Sequence, residues 1–305
     1  MAARPRLSAG GDTAVRSASR ERTAIVLLIV AWGTTFAAVK IGLESAPPVL
    51  FAGLRALIGG AMMAVLAWHR TGMPRLAGQG REYTLLTTLN VLLFFGLQTA
   101  AIGLLPSGLA AVLIYLQPVL TGVLAGPLLG EHVGRTAYVG LVLGFSGIAA
   151  VGIGAIDGHV SVLGVCYALG TALAWSLGTI VVKRSPVDLW WAVALPFTVG
   201  GVVLCALGAA FEGTSITWTG SFVVALAYST FIGTSLSWGL WFALIGAGEA
   251  TRAAAMIFFV PLVSLVIGTL YLHEDLHASV VAGAGLVVLG VWLVNRPTPV
   301  EAGPG

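Results

Sequence analysis

The chain has 305 residues, of which 58% are hydrophobic and only 9% charged. A soluble domain carries about 25% charged residues, so this chain cannot cover a water-facing surface; an all-α integral membrane protein is expected. The net charge of +3 comes from basic residues in short polar segments, which speaks against a nucleic-acid partner. Cys166 and Cys205 both lie in apolar runs, with no disulfide framework or metal spacing.

Residues 1–23 form a basic tail. Arg4, Arg6, Arg16, Arg20 and Arg22 lie there among Ser, Gly and Ala, a composition that predicts disorder and a cytoplasmic location. The apolar run that follows is too long for a signal-peptide core and lacks a small-residue cleavage site with a polar exit. A helical span needs about 20 apolar residues. Ten such runs are read, at 24–42, 48–67, 84–104, 107–128, 134–155, 160–183, 190–211, 221–245, 250–272 and 277–295. The linkers are short and polar, and the Pro/Gly-rich tail 296–305 is expected to be unstructured.

Basic residues concentrate on the cytoplasmic side of bacterial-type membrane proteins. With the N-terminus inside, 13 of the 15 Lys and Arg fall in cytoplasmic segments, Lys40 falls outside, and Arg55 lies within the second span. Both termini are then cytoplasmic.

The chain also repeats itself. Leu109–Val151 carries Pro118, Glu131, Gly140 and Gly147, and Arg252–Val294 carries Pro261, Glu274, Gly283 and Gly290. Each pair is offset by 143 residues without a gap. The same offset places Trp32 on Trp175 and Lys40 on Lys183. Trp, Lys, Pro and Glu matches in one frame are hard to obtain by chance, even in an Ala- and Leu-rich chain. The expected domains are therefore repeats at 24–155 and 160–295, of five spans each. An odd number of spans inserts the two copies with opposite orientation, a hallmark of secondary transporters whose site lies near the midplane.

Trp32-Gly33 with Lys40, together with the Pro118…Glu131…Gly140…Gly147 run and its second copy, resembles the drug/metabolite transporter superfamily, EamA type. The resemblance covers residues 24–295. It implies a ten-helix transporter of the cell membrane exporting amino acids or other small metabolites, with partners limited to a small-molecule substrate and the lipid bilayer. It leaves the substrate unnamed, and the sequence leaves monomer and homodimer open.

Candidate site residues follow from polarity inside the spans. Asn90, Phe94 and Gln98 share one face of an α-helical third span, and Thr230, Thr234, Ser237, Trp238 and Trp241 share one face of the eighth. Polar groups at membrane depth face protein or a water-filled cavity. Trp32 and Trp175 form one aromatic repeat pair, and Tyr115 and Phe258 another. A substrate wall of Trp32, Asn90, Gln98, Tyr115, Trp175, Trp238 and Phe258 is expected, contributed by the first, third, fourth, sixth, eighth and ninth spans and free of fixed charge. Arg55, whose counterpart is Thr198, either snorkels outward, pairs with Glu44, or meets substrate.

Structural or gating roles fall to Pro118 and Pro261 as mid-span kinks, and to Glu131 and Glu274 as caps on the next span or as gates. Lys40 and Lys183 belong with them, at opposite membrane faces. The glycines of spans 5 and 10 pack helices, either within the fold or across a dimer. Trp68, Trp190, Trp191, Trp218 and Trp292 read as an interfacial belt. His273-Glu274-Asp275-Leu276-His277 matches H-E-x-x-H, which on a continuous helix binds zinc with Glu as base. That makes an intramembrane metalloprotease a rival reading, and a non-transporting membrane scaffold a third. The motif sits at a span boundary and Glu274 is matched by Glu131 without histidines, so no enzyme, metal or cofactor is expected.

Overall fold

The computed structural model describes residues 9–130, 135–156, 160–246, 257, 259–275 and 277–294. Among them the regular structure is helical throughout. The elements are α1 (Ala9–Gly42), α2 (Pro48–Thr71), α3 (Gly80–Leu104) and α4, which is broken into Ser107–Ile114 and Gln117–Leu129. They continue with α5 (Arg135–Ile156), α6 (Val162–Arg184), α7 (Trp191–Phe211), α8 (220–246), α9 (Phe259–Tyr271) and α10 (Ala278–Val294). Seven of them, α1 to α4 and α6 to α8, contain stretches long and apolar enough to cross a membrane, and α5, α9 and α10 carry shorter apolar stretches. The chain is an all-α membrane protein. Large apolar side chains such as Val26, Leu27, Val65 and Val202 are about half exposed, a surface that suits lipid and would aggregate in water.

Helix starts are made locally where the sequence offers a cap. Ser161 and Thr219 accept bonds from Gly164 N and Phe222 N at the starts of α6 and α8. Asp188 does the same for Trp190 N and Trp191 N ahead of α7. Pro48 occupies the first position of α2, where a missing N–H costs nothing. Glu212, far along the chain, accepts from Val49 N and Leu50 N in that same turn. Helix α1 extends back to Ala9, through part of the segment expected to be a disordered tail.

Two features depart from simple α-helices. Both α3 and α8 contain a π-helical turn, at Thr88–Leu93 and Phe231–Leu236. These turns stand at the same place in each repeat, 143 residues apart. Helix α4 is interrupted at Tyr115-Leu116 and restarts at Gln117. Pro118 therefore sits in a first turn, not at a kink inside a continuous helix, so its missing N–H breaks no ladder. Pro261 likewise lies in the first turn of α9, just after a turn at Ile257.

The packing partners obey the repeat. Helix α2 lies along α7 and α5 along α10, each an element with its own counterpart. Helix α1 packs on α8 and α9, as α6 packs on α3 and α4. The glycines show the relation atom by atom. A side chain at Gly147 would strike the Gly283 carbonyl, and one at Gly290 would strike the Gly140 carbonyl. Since Gly147 and Gly290 are counterparts, as are Gly140 and Gly283, this is one contact made twice with the roles exchanged. These small residues join α5 to α10 within the chain.

Candidate functional site

A small cavity lies where α1, α2, α3, α4, α6 and α8 converge. Its wall is largely aromatic. Trp32 stands edge-on to Trp175 at 6.3 Å and to Trp238 at 5.9 Å between ring centroids. Tyr115 and Phe94 meet Trp175 at 5.5 and 5.4 Å. Edge-to-face contacts at these distances hold the rings in fixed positions against one another. Trp32 and Trp175 are repeat counterparts, so the cavity sits at the junction of the two halves.

Three polar side chains share this wall with the Tyr115 phenol. Thr35 is buried and donates to Ala31 O at 2.6 Å, which spends its proton inside α1. Gln98 is 8% exposed and its Oε1 has no hydrogen-bond partner. Arg55 is 2% exposed, and neither Nε nor Nη1 has a hydrogen-bond partner among the described residues. Its guanidinium carbon lies 4.9 Å from the Phe95 ring centroid, a cation–π contact that covers one face of the group. Arg55 thus neither snorkels to an interface nor pairs with the exposed Glu44. It brings a fixed charge and an α2 residue to a wall expected to have neither.

Of the residues singled out from sequence, Trp32, Gln98, Tyr115, Trp175 and Trp238 come together around this cavity. Phe258 lies outside the described residues. Asn90 is not part of the lining. It sits within the first π-turn and presses on α6, where a Cβ on Gly178 would collide with its amide. A π-turn changes the residue spacing per turn, so an α-helical count does not carry through Asn90, which abuts α6 while Phe94 and Gln98 line the cavity. The second half repeats the crossing with roles reversed, since Gly233 on α8 receives Thr35 of α1. Sequence reasoning also passed over Thr35, Phe36, Phe95 and Ile114, which line the cavity; Phe36 and Phe95 look like ordinary lipid-facing residues in a uniformly apolar run.

The corner between α3 and α4 is held from two sides. Lys40 Nζ donates to Ile102 O and Leu105 O, both at 2.8 Å, at the carbonyl end of α3. Glu274 accepts from Ser107 N at 2.7 Å and Ser107 Oγ at 2.9 Å, at the amide end of α4. Cation on a C-terminus and anion on an N-terminus complement the helix dipoles. Glu274 therefore caps α4 in the other half of the chain, not α10, which follows it. Glu131, its counterpart, lies outside the described residues. Lys183 is exposed in the last turn of α6. The H-E-x-x-H geometry needs one helix face, whereas His273, Glu274 and Asp275 lie between α9 and α10, and His273 has a φ of 52°. Trp191 also departs from the expected belt: it is buried and donates Nε1–H to Gly72 O at 2.9 Å.

The profile of the EamA-like transporter family matches residues 22–153 and again residues 162–296. The transporter YvbV of Bacillus subtilis is 40% identical over 287 residues, covering 92% of this chain and 94% of that protein. A Salmonella typhimurium protein named "Probable amino-acid metabolite efflux pump" is 28% identical, covering 88% of this chain and 92% of its own. One crystal structure superposes with a TM-score of 0.62 over 90% of this chain and 96% of its own, at 19% identity. At that identity the likeness concerns the fold alone.

Proposed function

Because the chain belongs to the EamA-like transporter family and is a membrane transporter, we propose that it is a secondary carrier that exports amino acids or closely related small metabolites across the cell membrane by alternating access. The observation that carries this reading is the aromatic cavity at the junction of the two halves, ringed by helices from both. Apolar surface with a few polar groups is what a small organic guest needs. The efflux name of the Salmonella relative points to the same solutes and direction.

In this reading α1–α5 and α6–α10 are ten spans in two inverted sets, with both termini cytoplasmic and the site between the sets. Contacts reciprocated under the repeat support it. So does the way loops meet: Glu212 and Ser45, both assigned outside, bond the α1–α2 and α7–α8 linkers together. Trp32, Gln98, Tyr115, Trp175 and Trp238 hold solute, and Lys40 with Glu274 forms an outer-side latch that opens as the halves rock. Glu212 and Glu274 are spent as helix caps, so neither serves as a buried proton relay.

Two measurements test this. Cells overproducing the chain should release more amino acid into the medium than cells lacking it, at equal internal supply; unchanged profiles inside and outside would sink the export reading. In a chain freed of its native cysteines, cysteines at positions 78 and 158 should label from opposite sides of the membrane. Labelling of both from outside would remove the inversion.

A further inference from the structure

We propose that Arg55 is the anion anchor of the cavity: it binds the carboxylate of an apolar α-amino acid, whose amino group goes to Gln98 Oε1 and whose side chain enters the aromatic cage. This rests on the export reading and gives it a substrate class.

The argument is one of unmet valence. A buried guanidinium without a counter-ion carries a desolvation penalty of several kcal/mol. Among the described residues nothing bonds to Nε or Nη1. Of the described carboxylates, Glu212 caps α2, Glu274 caps α4, Asp188 caps α7 and Glu44 is exposed, while Glu82 sits in the first turn of α3, some 13 residues before the Phe95 that covers the guanidinium. The Phe95 ring covers a face of the guanidinium, while its N–H groups lie in the plane of the fork. A fork with a covered face and unspent edge donors fits a planar, bidentate acceptor, which is what a carboxylate is. Gln98 Oε1 is the complementary orphan, a buried acceptor without a donor in the same wall. A cation and an acceptor left open in one apolar cavity describe a zwitterion with a hydrophobic remainder. An inorganic anion would leave Gln98 and the rings unused, and a cation would be repelled by Arg55.

The repeat argues that the arginine serves a guest and not the scaffold. Its counterpart, Thr198, donates to Ala194 O at 2.7 Å and needs nothing further. The same α2–α7 packing is therefore built on one side without any charge.

The test uses the full-length protein purified in detergent, with binding read by thermal stabilisation and by quenching of the cavity tryptophans. The ligands are L-leucine and L-methionine, each with its amide, and 4-methylpentanoate, which is leucine without the amino group. The wild type should bind each amino acid at least about tenfold more tightly than its amide, the range expected for a charge-assisted pair. Arg55→Met should cut that ratio to within about threefold and leave the empty protein's melting temperature equal or higher, since an apolar group replaces an unpaired charge. Arg55→Lys should retain part of the discrimination. Gln98→Ala should weaken leucine several-fold while leaving 4-methylpentanoate unchanged.

Equal binding of acid and amide by the wild type, no binding of either amino acid, or an undiminished ratio in Arg55→Met would each overturn the assignment. So would a large drop in melting temperature for Arg55→Met without ligand, which would make the arginine structural. Failure of the export reading looks different: carboxylate-selective binding would persist in the purified protein while cells showed no change in amino acid release.

Discussion

The two halves of this protein share their joints and differ in what they present to the cavity. Gly147 meets Gly283 as Gly290 meets Gly140, and the α1–α8 and α3–α6 crossings each seat a polar side chain on a glycine. Both α3 and α8 carry a π-turn at one register. In α8 that turn is supported by hydroxyls, with Thr234 and Ser237 donating to carbonyls five residues earlier. Their counterparts in α3 are Val91 and Phe94, which cannot do this. The bend is common to both halves and its chemical support is not. At the cavity the difference is larger, because Arg55, Gln98 and Tyr115 all come from the first half, where the second half has Thr198, Trp241 and Phe258. Repetition governs the framework on which the halves can move, and divergence governs what they hold.

Substitutions sort along that line. The largest effect should come from a shared joint. Gly147→Val and Gly290→Val each push a side chain into a neighbouring backbone, for about 1–3 kcal/mol or more of overpacking. Both should lower the melting temperature by similar amounts; a tolerant Gly290 beside an intolerant Gly147 would break the equivalence. Next comes the latch. Glu274→Ala strips Ser107, fully buried, of the acceptor for its N–H and hydroxyl, at about 1–3 kcal/mol. Thermal unfolding should shift accordingly, and a neutral result would mean that water or another side chain caps α4. Smallest is the divergent wall. Gln98→Ala should reduce transport several-fold, from loss of about 0.5–1.5 kcal/mol, without loss of expression. Asn90→Ala should leave substrate affinity within about twofold, because its amide faces Gly178. Equal loss in both variants would return Asn90 to the cavity.

Much of this was legible in the sequence because it depends on composition and periodicity. Low charge announced the bilayer, and the 143-residue offset picked out the pairs Gly147 with Gly290 and Trp32 with Trp175, which the fold sets in exchanged contacts and side by side. What escaped depends on local geometry that leaves no mark in spacing. An α-helical count of 3.6 residues per turn does not hold through a stretch that is π-helical, which is where Asn90 lies. Pro118 looked like a mid-helix kink because nothing in Tyr115-Leu116 signals a break. Glu274 was expected to serve the helix after it, since long-range caps are invisible to a pattern read along the chain. Arg55 was the informative exception. A lone charge in an apolar run was visible at once, but only the fold shows that none of the described carboxylates comes to meet it.

The reciprocal joints bear on why the halves are fused. Two separate copies of the first half could reproduce the α5–α10 contacts through Gly140 and Gly147, since Gly147 meets the counterpart of Gly140, and Gly140 the counterpart of Gly147. They would also place Arg55 twice along the α2–α7 seam, where the fused chain keeps one arginine and a threonine bonded within its own helix. Covalent linkage frees one of the two positions to become Thr198. A single polypeptide can thus keep a two-fold framework while giving its passenger one end for the charge and another for the oil.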